Sequence, residues 1–127
     1  MKVKNKIILY YLLLITFHFG HVLEETWGRF WMVNTFGLGL YLFINWILFF
    51  ILVTLLYFVI LEKRAAYHLS IAYAVFMVLN GAGHNIATLF TGKYFNGFAG
   101  GFSGLGLIIT GIPLFTILYK NIPKRKE

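Results

Sequence analysis

Side chains able to bind a cation or move a proton gather in one short stretch, His18, His21, Glu24 and Glu25, with a further histidine, His84, far along the chain. Imidazole nitrogens and carboxylate oxygens are ligands for divalent metals and also serve as general acids and bases. In a helix turning about 100° per residue, Glu25 falls about 40° to one side of His21 and Glu24 about 60° to the other. One face then presents an imidazole between two carboxylates. His18 joins the Glu25 edge of that face, about two turns deeper than Glu25. The i, i+4 spacing of His21 and Glu25 is the one by which helices offer two ligands to one metal, as in H-E-x-x-H sites. In that scheme His84 is the third ligand, and Glu24 sits beside the ion as the catalytic acid or base. Zinc is the simplest choice for a set of His and Glu donors. No cysteine is present, which excludes disulfides, thiolate ligands and a cysteine nucleophile. Ser70 and Ser103 have no evident partners in this scheme, so a metal-activated water is the expected nucleophile.

These groups must be positioned by elements that belong in a bilayer. Of the 127 residues, 60% are hydrophobic and 12% charged, a balance far from that of a soluble domain. The expected fold is all-α: one integral membrane domain over residues 1–127, a four-helix bundle with helices near 7–27, 35–61, 65–90 and 98–119. The first segment has the basic start and apolar run of a signal peptide, but His18 to Glu25 lack a small-residue cleavage pattern, and three more apolar spans follow. It is read as a retained helix. Thr35 to Leu61 carries no charged side chain and is long enough to cross a hydrocarbon core of about 30 Å. The fourth span contains Pro113 and many glycines, both tolerated in membrane helices that pack on neighbours.

Charge sets the orientation. Lys2, Lys4, Lys6, Lys63, Arg64, Lys120, Lys124, Arg125 and Lys126 fall on one side of a four-span arrangement, and only Arg29 and Lys93 on the other. The positive-inside rule then puts both termini in the cytoplasm and the loops around Glu24–Asn34 and Thr91–Asn96 outside, in a multi-pass protein of the cell membrane. The net charge of +7 is thus a topology signal, and no nucleic-acid partner is expected. On this topology His84 reaches a depth similar to that of His21. Asn80, one turn deeper on the same face, is placed to orient His84, and Gly81 and Gly83 permit close helix approach. Asn45 lies in the same half of the bilayer, while His68 is interfacial and inert. Trp27, Trp31, Tyr94 and Phe95 suit an interfacial belt. Gly97, Gly100, Gly101 and Gly104 form overlapping GxxxG pairs that admit another backbone, within the bundle or from a second copy.

His21-x-x-Glu24-Glu25, a lone histidine in a later apolar helix and then a tyrosine-containing turn together resemble the HXXEE-domain family of small bacterial and archaeal membrane proteins. The resemblance covers nearly the whole chain. It implies that the family's motif falls on His21, Glu24 and Glu25, its further histidine on His84, and its Y-x-P-G motif on Tyr94–Gly97, with Asn96 in place of the proline. It names a family without naming a reaction.

Two functions fit these residues. One is a metal-dependent hydrolase acting on a lipid or other amphiphile at the outer face, with His21, Glu25 and His84 on the metal, Glu24 as the catalytic group, and His18, Asn80, Asn45 and Tyr94 in support or lining the substrate site. The other is a non-enzymatic accessory, immunity or binding protein whose His and Glu side chains only hold helices together.

Overall fold

A computed structural model describes residues 2–92 and 100–124. The expectations placed on Lys93, Tyr94, Phe95, Asn96, Gly97, Phe98, Arg125 and Lys126 lie outside that range. The described residues form five helices and no strand: α1 Val3–Trp27, α2 Trp31–Phe36, α3 Leu38–Ile60, α4 Arg64–Thr91 and α5 Gly101–Lys120. Four of them, α1, α3, α4 and α5, are long and apolar enough to cross a membrane. Their outward faces are apolar as well. Trp46, Phe50, Leu69, Phe76, Leu79 and Ile109 are each more than half exposed, which suits a hydrocarbon surround and would be costly in water.

Three boundaries differ from those expected, one of them the start of the fourth span, at Gly101 rather than near residue 98, after Gly100 at φ +101°. α1 starts at Val3 rather than near residue 7, because the backbone stays helical through Lys4 and Lys6, residues of good helix propensity. The span expected from Thr35 begins at Leu38, because Gly37, at φ +79°, breaks the chain and leaves Thr35 and Phe36 in the separate six-residue α2. That left-handed conformation is one a glycine adopts without steric cost. At the far end of α3 a tight turn through Glu62, at φ +58°, closes with Glu62 N–H donating to Val59 O and Lys63 N–H to Phe58 O. The pattern satisfies the last carbonyls of α3 before α4 begins.

α5 is the hub, packed on both α4 and α1, while α3 lies against α4 and α1 with much of its surface outward. Close approach of small residues is what packs helices of this apolar kind together. Glycines on α5 allow it. A Cβ on Gly106 would overlap the Phe17 ring of α1, and one on Gly111 would lie 2.7 Å from Val78 Cγ2 of α4. Gly81 of α4 and Gly104 of α5 meet backbone to backbone. Gly100, Gly101 and Gly104 are buried within the chain's own bundle. Tyr11, Leu14, Leu52, Met77, Leu107, Leu114 and Leu118 fill the centre with almost no exposed surface.

Candidate metal centre

The C-terminal ends of α1 and α4 and the N-terminal ends of α3 and α5 meet at one end of the bundle, and each contributes to one polar cluster. After Trp27 the chain turns sharply, with Phe30 N–H donating to Glu25 O and Arg29 at φ +50°. The turn lays the Phe30 ring over His84, with centroids 4.9 Å apart. Beneath it His21, Glu25 and His84 are all buried, and each offers one ligand atom within 4.8 Å of the others. His84 Nε2 lies 3.1 Å from Glu25 Oε1, and His21 Nε2 lies 3.5 Å from the same oxygen. The two imidazoles stand edge to face, with centroids 4.6 Å apart at 88°.

Neighbours fix each member. The Tyr41 hydroxyl of α3 donates to Glu25 Oε2, and so holds the carboxylate with Oε1 towards the imidazoles. Asn80 Nδ2 donates to His21 Nε2 at 3.1 Å. Ser103 Oγ lies 3.0 Å from His21 Nδ1. Glu24 accepts from the Ser103 hydroxyl at 3.0 Å and from the Ser103 backbone N–H at 3.3 Å with each oxygen. A carboxylate there satisfies an amide in the first turn of α5 and faces the positive end of the helix dipole. His84 Nδ1 is buried and has no hydrogen-bond partner among the described residues.

Several expected roles change. Glu24 is not beside His21, Glu25 and His84: its oxygens are taken by the start of α5, and it reaches His21 only through Ser103. Ser103 therefore does have partners, as does Ser70, whose hydroxyl lies 3.1 Å from that of Tyr11. Asn80 binds His21 rather than orienting His84, because its amide reaches across to α1. His18 points away from the cluster to the Tyr73 hydroxyl at 3.4 Å and packs against Phe49. Asn45 donates to the backbone oxygen of Tyr41, so it bears on the cluster only through the helix that carries Tyr41. His68 pairs weakly with Arg64 at the exposed opposite end. Gly83, unlike Gly81, meets nothing within 4 Å. Tyr94 lies outside the described residues.

Sequence reasoning missed Ser103 and Tyr41. Both were signalled by position, since the start of the fourth span and the start of the second span come to the same end of a four-helix arrangement as His21.

The donor set fits a divalent cation. His21 Nε2 lies 3.1 Å from Asn80 Nδ2 and 3.5 Å from Glu25 Oε1, in a buried site. Two imidazoles and a carboxylate, each with a ligand atom within 4.8 Å of the others in a buried site, are a donor set that divalent cations take. Beside the cluster a groove of about 280 Å³ has Asn80 and His84 on its polar side and Phe30, Trp31, Leu79 and Ala87 as apolar walls.

No protein-family model, no curated protein and no solved structure matches this chain.

Proposed function

We propose that the protein is a metal-dependent hydrolase of the cell membrane, with both termini cytoplasmic, whose His21, Glu25 and His84 hold one divalent cation near the extracytoplasmic face. The substrate class is a lipid or another amphiphile. The observation that carries the reading is the gathering of three ligand atoms, one each on His21, Glu25 and His84, within 4.8 Å of one another in a buried site. The orphaned His84 Nδ1 and the groove support it. The HXXEE resemblance belongs to this reading, since His21, Glu24, Glu25 and His84 all take part in one network.

When bound, the ion supplies Lewis-acid polarisation of a carbonyl or phosphoryl oxygen and a water acidic enough to act as nucleophile. The chain's own residues do the rest. Tyr41 keeps Glu25 aimed at the imidazoles, and the Phe30 ring covers His84 from one side. The apolar walls of the groove take the substrate's hydrocarbon part, while its polar part meets Asn80 and His84.

One observation favours a second reading. Protein donors alone satisfy Glu25, with the Tyr41 hydroxyl on one oxygen and His84 Nε2 on the other. A non-enzymatic accessory, immunity or binding protein would use this bonded cluster to pin four helix ends together. Turnover separates the two. In nanodiscs, hydrolysis of ester-, amide- or phosphoester-bearing amphiphiles should stop with a chelator, return with Zn²⁺ and be absent in His84→Ala. An ion-loaded protein that cleaves none of the three classes would end the hydrolase reading.

A further inference from the structure

The cluster has a second layer, built from two residues that bind no ion themselves. We infer that Glu24 and Ser103 form a relay that fixes which nitrogen of His21 carries the proton, leaving on Nε2 a lone pair that a cation takes over from Asn80. The inference rests on the reading of His21 as a cation ligand.

The protons around one hydroxyl can be counted. Ser103 Oγ has one proton to give and two lone pairs. Its neighbours are Glu24 Oε2 at 3.0 Å, His21 Nδ1 at 3.0 Å and Gly100 O at 3.3 Å. Glu24 as a carboxylate can only accept, and a charge-assisted bond is the strongest of the three available. The hydroxyl proton therefore points to Glu24. His21 Nδ1 then faces an oxygen whose proton is already engaged, so Nδ1 must be the donor. That tautomer leaves the lone pair on Nε2.

The opposite edge of the ring gives the same answer independently. Asn80 Nδ2 is a donor, and at 3.1 Å from Nε2 it requires an acceptor there. The ring is also held in place across its face. Gly100 sits at φ +101°, and a Cβ on it would lie 2.5 Å from His21 Cε1 and 2.8 Å from Nδ1, so the imidazole rests against bare backbone. Glu24 is anchored in turn by the Ser103 backbone N–H at the start of α5. Metal-bound histidines commonly give their other N–H to a carboxylate or similar acceptor, which sets ring orientation and raises ligand basicity. Here a serine stands between the imidazole and the carboxylate.

The same three groups could be taken for a serine nucleophile with its base. The direction of the hydrogen bonds argues otherwise, because a base for Ser103 needs an unprotonated nitrogen accepting the hydroxyl proton. In this site the nitrogen facing Ser103 donates.

Glu24 and Ser103 are thus positioning residues, and the ring nitrogens report on them directly. The protein has four histidines, so ¹⁵N-histidine labelling of the full chain in detergent, with single replacements for assignment, resolves the His21 signals. The metal-free native protein should show His21 protonated at Nδ1 and bare at Nε2. Ser103→Ala should reduce that preference to what Asn80 alone maintains and weaken Zn²⁺ and Co²⁺ binding by about 10- to 100-fold, the range found when such supporting partners are removed. Glu24→Gln should shift both readouts the same way, which serves if Ser103→Ala fails to fold. An Nε2-protonated His21 in the native protein would overturn the relay, and so would unchanged Zn²⁺ affinity in both variants. Covalent capture of Ser103 by a fluorophosphonate would also overturn it, by assigning the hydroxyl as a nucleophile. Failure of the native protein to bind Zn²⁺ at all would instead reject the cation site and leave the tautomer measurement to judge the relay alone.

Discussion

Replacing Gly81 by alanine tests whether the crossing of α4 and α5 is what assembles the site. The added Cβ would fall on the Gly104 carbonyl oxygen, with Gly104 C at 3.1 Å and Cα at 3.2 Å. All three obstacles are backbone, so no side chain can swing aside. The helices must part by on the order of 1 Å, and overpacking of this kind costs about 1–3 kcal/mol. The shift also acts on the cluster, because Asn80 and His84 flank Gly81 on α4 and Ser103 adjoins Gly104 on α5. Metal sites tolerate only about ±0.2 Å in ligand distance, so Zn²⁺ affinity should fall at least about tenfold. Gly83→Ala, two residues along the same helix, is the control. Nothing lies within 4 Å of its Cβ, and alanine gains about 0.5–1 kcal/mol of helix propensity, so stability should hold or rise. The assay is the thermal unfolding midpoint in detergent, with Zn²⁺ affinity by chelator competition. Gly81→Ala matching the native protein in both, or Gly83→Ala losing as much, would refute the reasoning.

Further substitutions probe the partners of the cluster and the topology. Tyr41→Phe removes a donor to the buried Glu25 and should cost about 1.5–3 kcal/mol in unfolding measurements, whereas Asn45→Ala, which loses only a bond to Tyr41 O, should cost less. Ser70→Ala leaves the Tyr11 hydroxyl buried and unpaired, for about 1–3 kcal/mol of stability, yet should leave Zn²⁺ affinity as in the native protein. The chain has no cysteine, so single cysteines report topology without background. A membrane-impermeant maleimide added to intact cells should label Asn34→Cys and spare Lys63→Cys, and the reverse pattern would invert the orientation.

The helical plan was legible because apolar runs of spanning length are separated by short charged turns, and in α3 not one charge interrupts the run. The start of α3 was not, since Gly37 lies within an apolar stretch and only its φ of +79° reveals the break that sets α2 apart. The grouping of His21, Glu25 and His84 could be anticipated from an i, i+4 pair and a topology argued from Lys and Arg alone. Spacing could not reveal the hydrogen-bond directions. It placed Glu24 beside the ion because both carboxylates flank His21 on a helical wheel, whereas the exposed amides at the start of α5 draw Glu24 to Ser103. Asn80 was assigned to His84, its neighbour on the same helix, but the closeness of α1 gives it to His21. Both errors have one cause: a residue's partner in a bundle is set by the neighbouring helix, which periodicity along one helix does not register.

The central claim is that one divalent ion sits between His21, Glu25 and His84. Metal analysis of the detergent-purified protein, joined to X-ray absorption at the metal edge, tests it most directly. One ion per chain is expected, with nitrogen and oxygen ligands at about 2.0–2.2 Å, no sulfur ligand, and loss of the ion in His21→Ala and His84→Ala. A native protein that takes up no ion when supplied with Zn²⁺, or alanine variants that keep theirs, would contradict it.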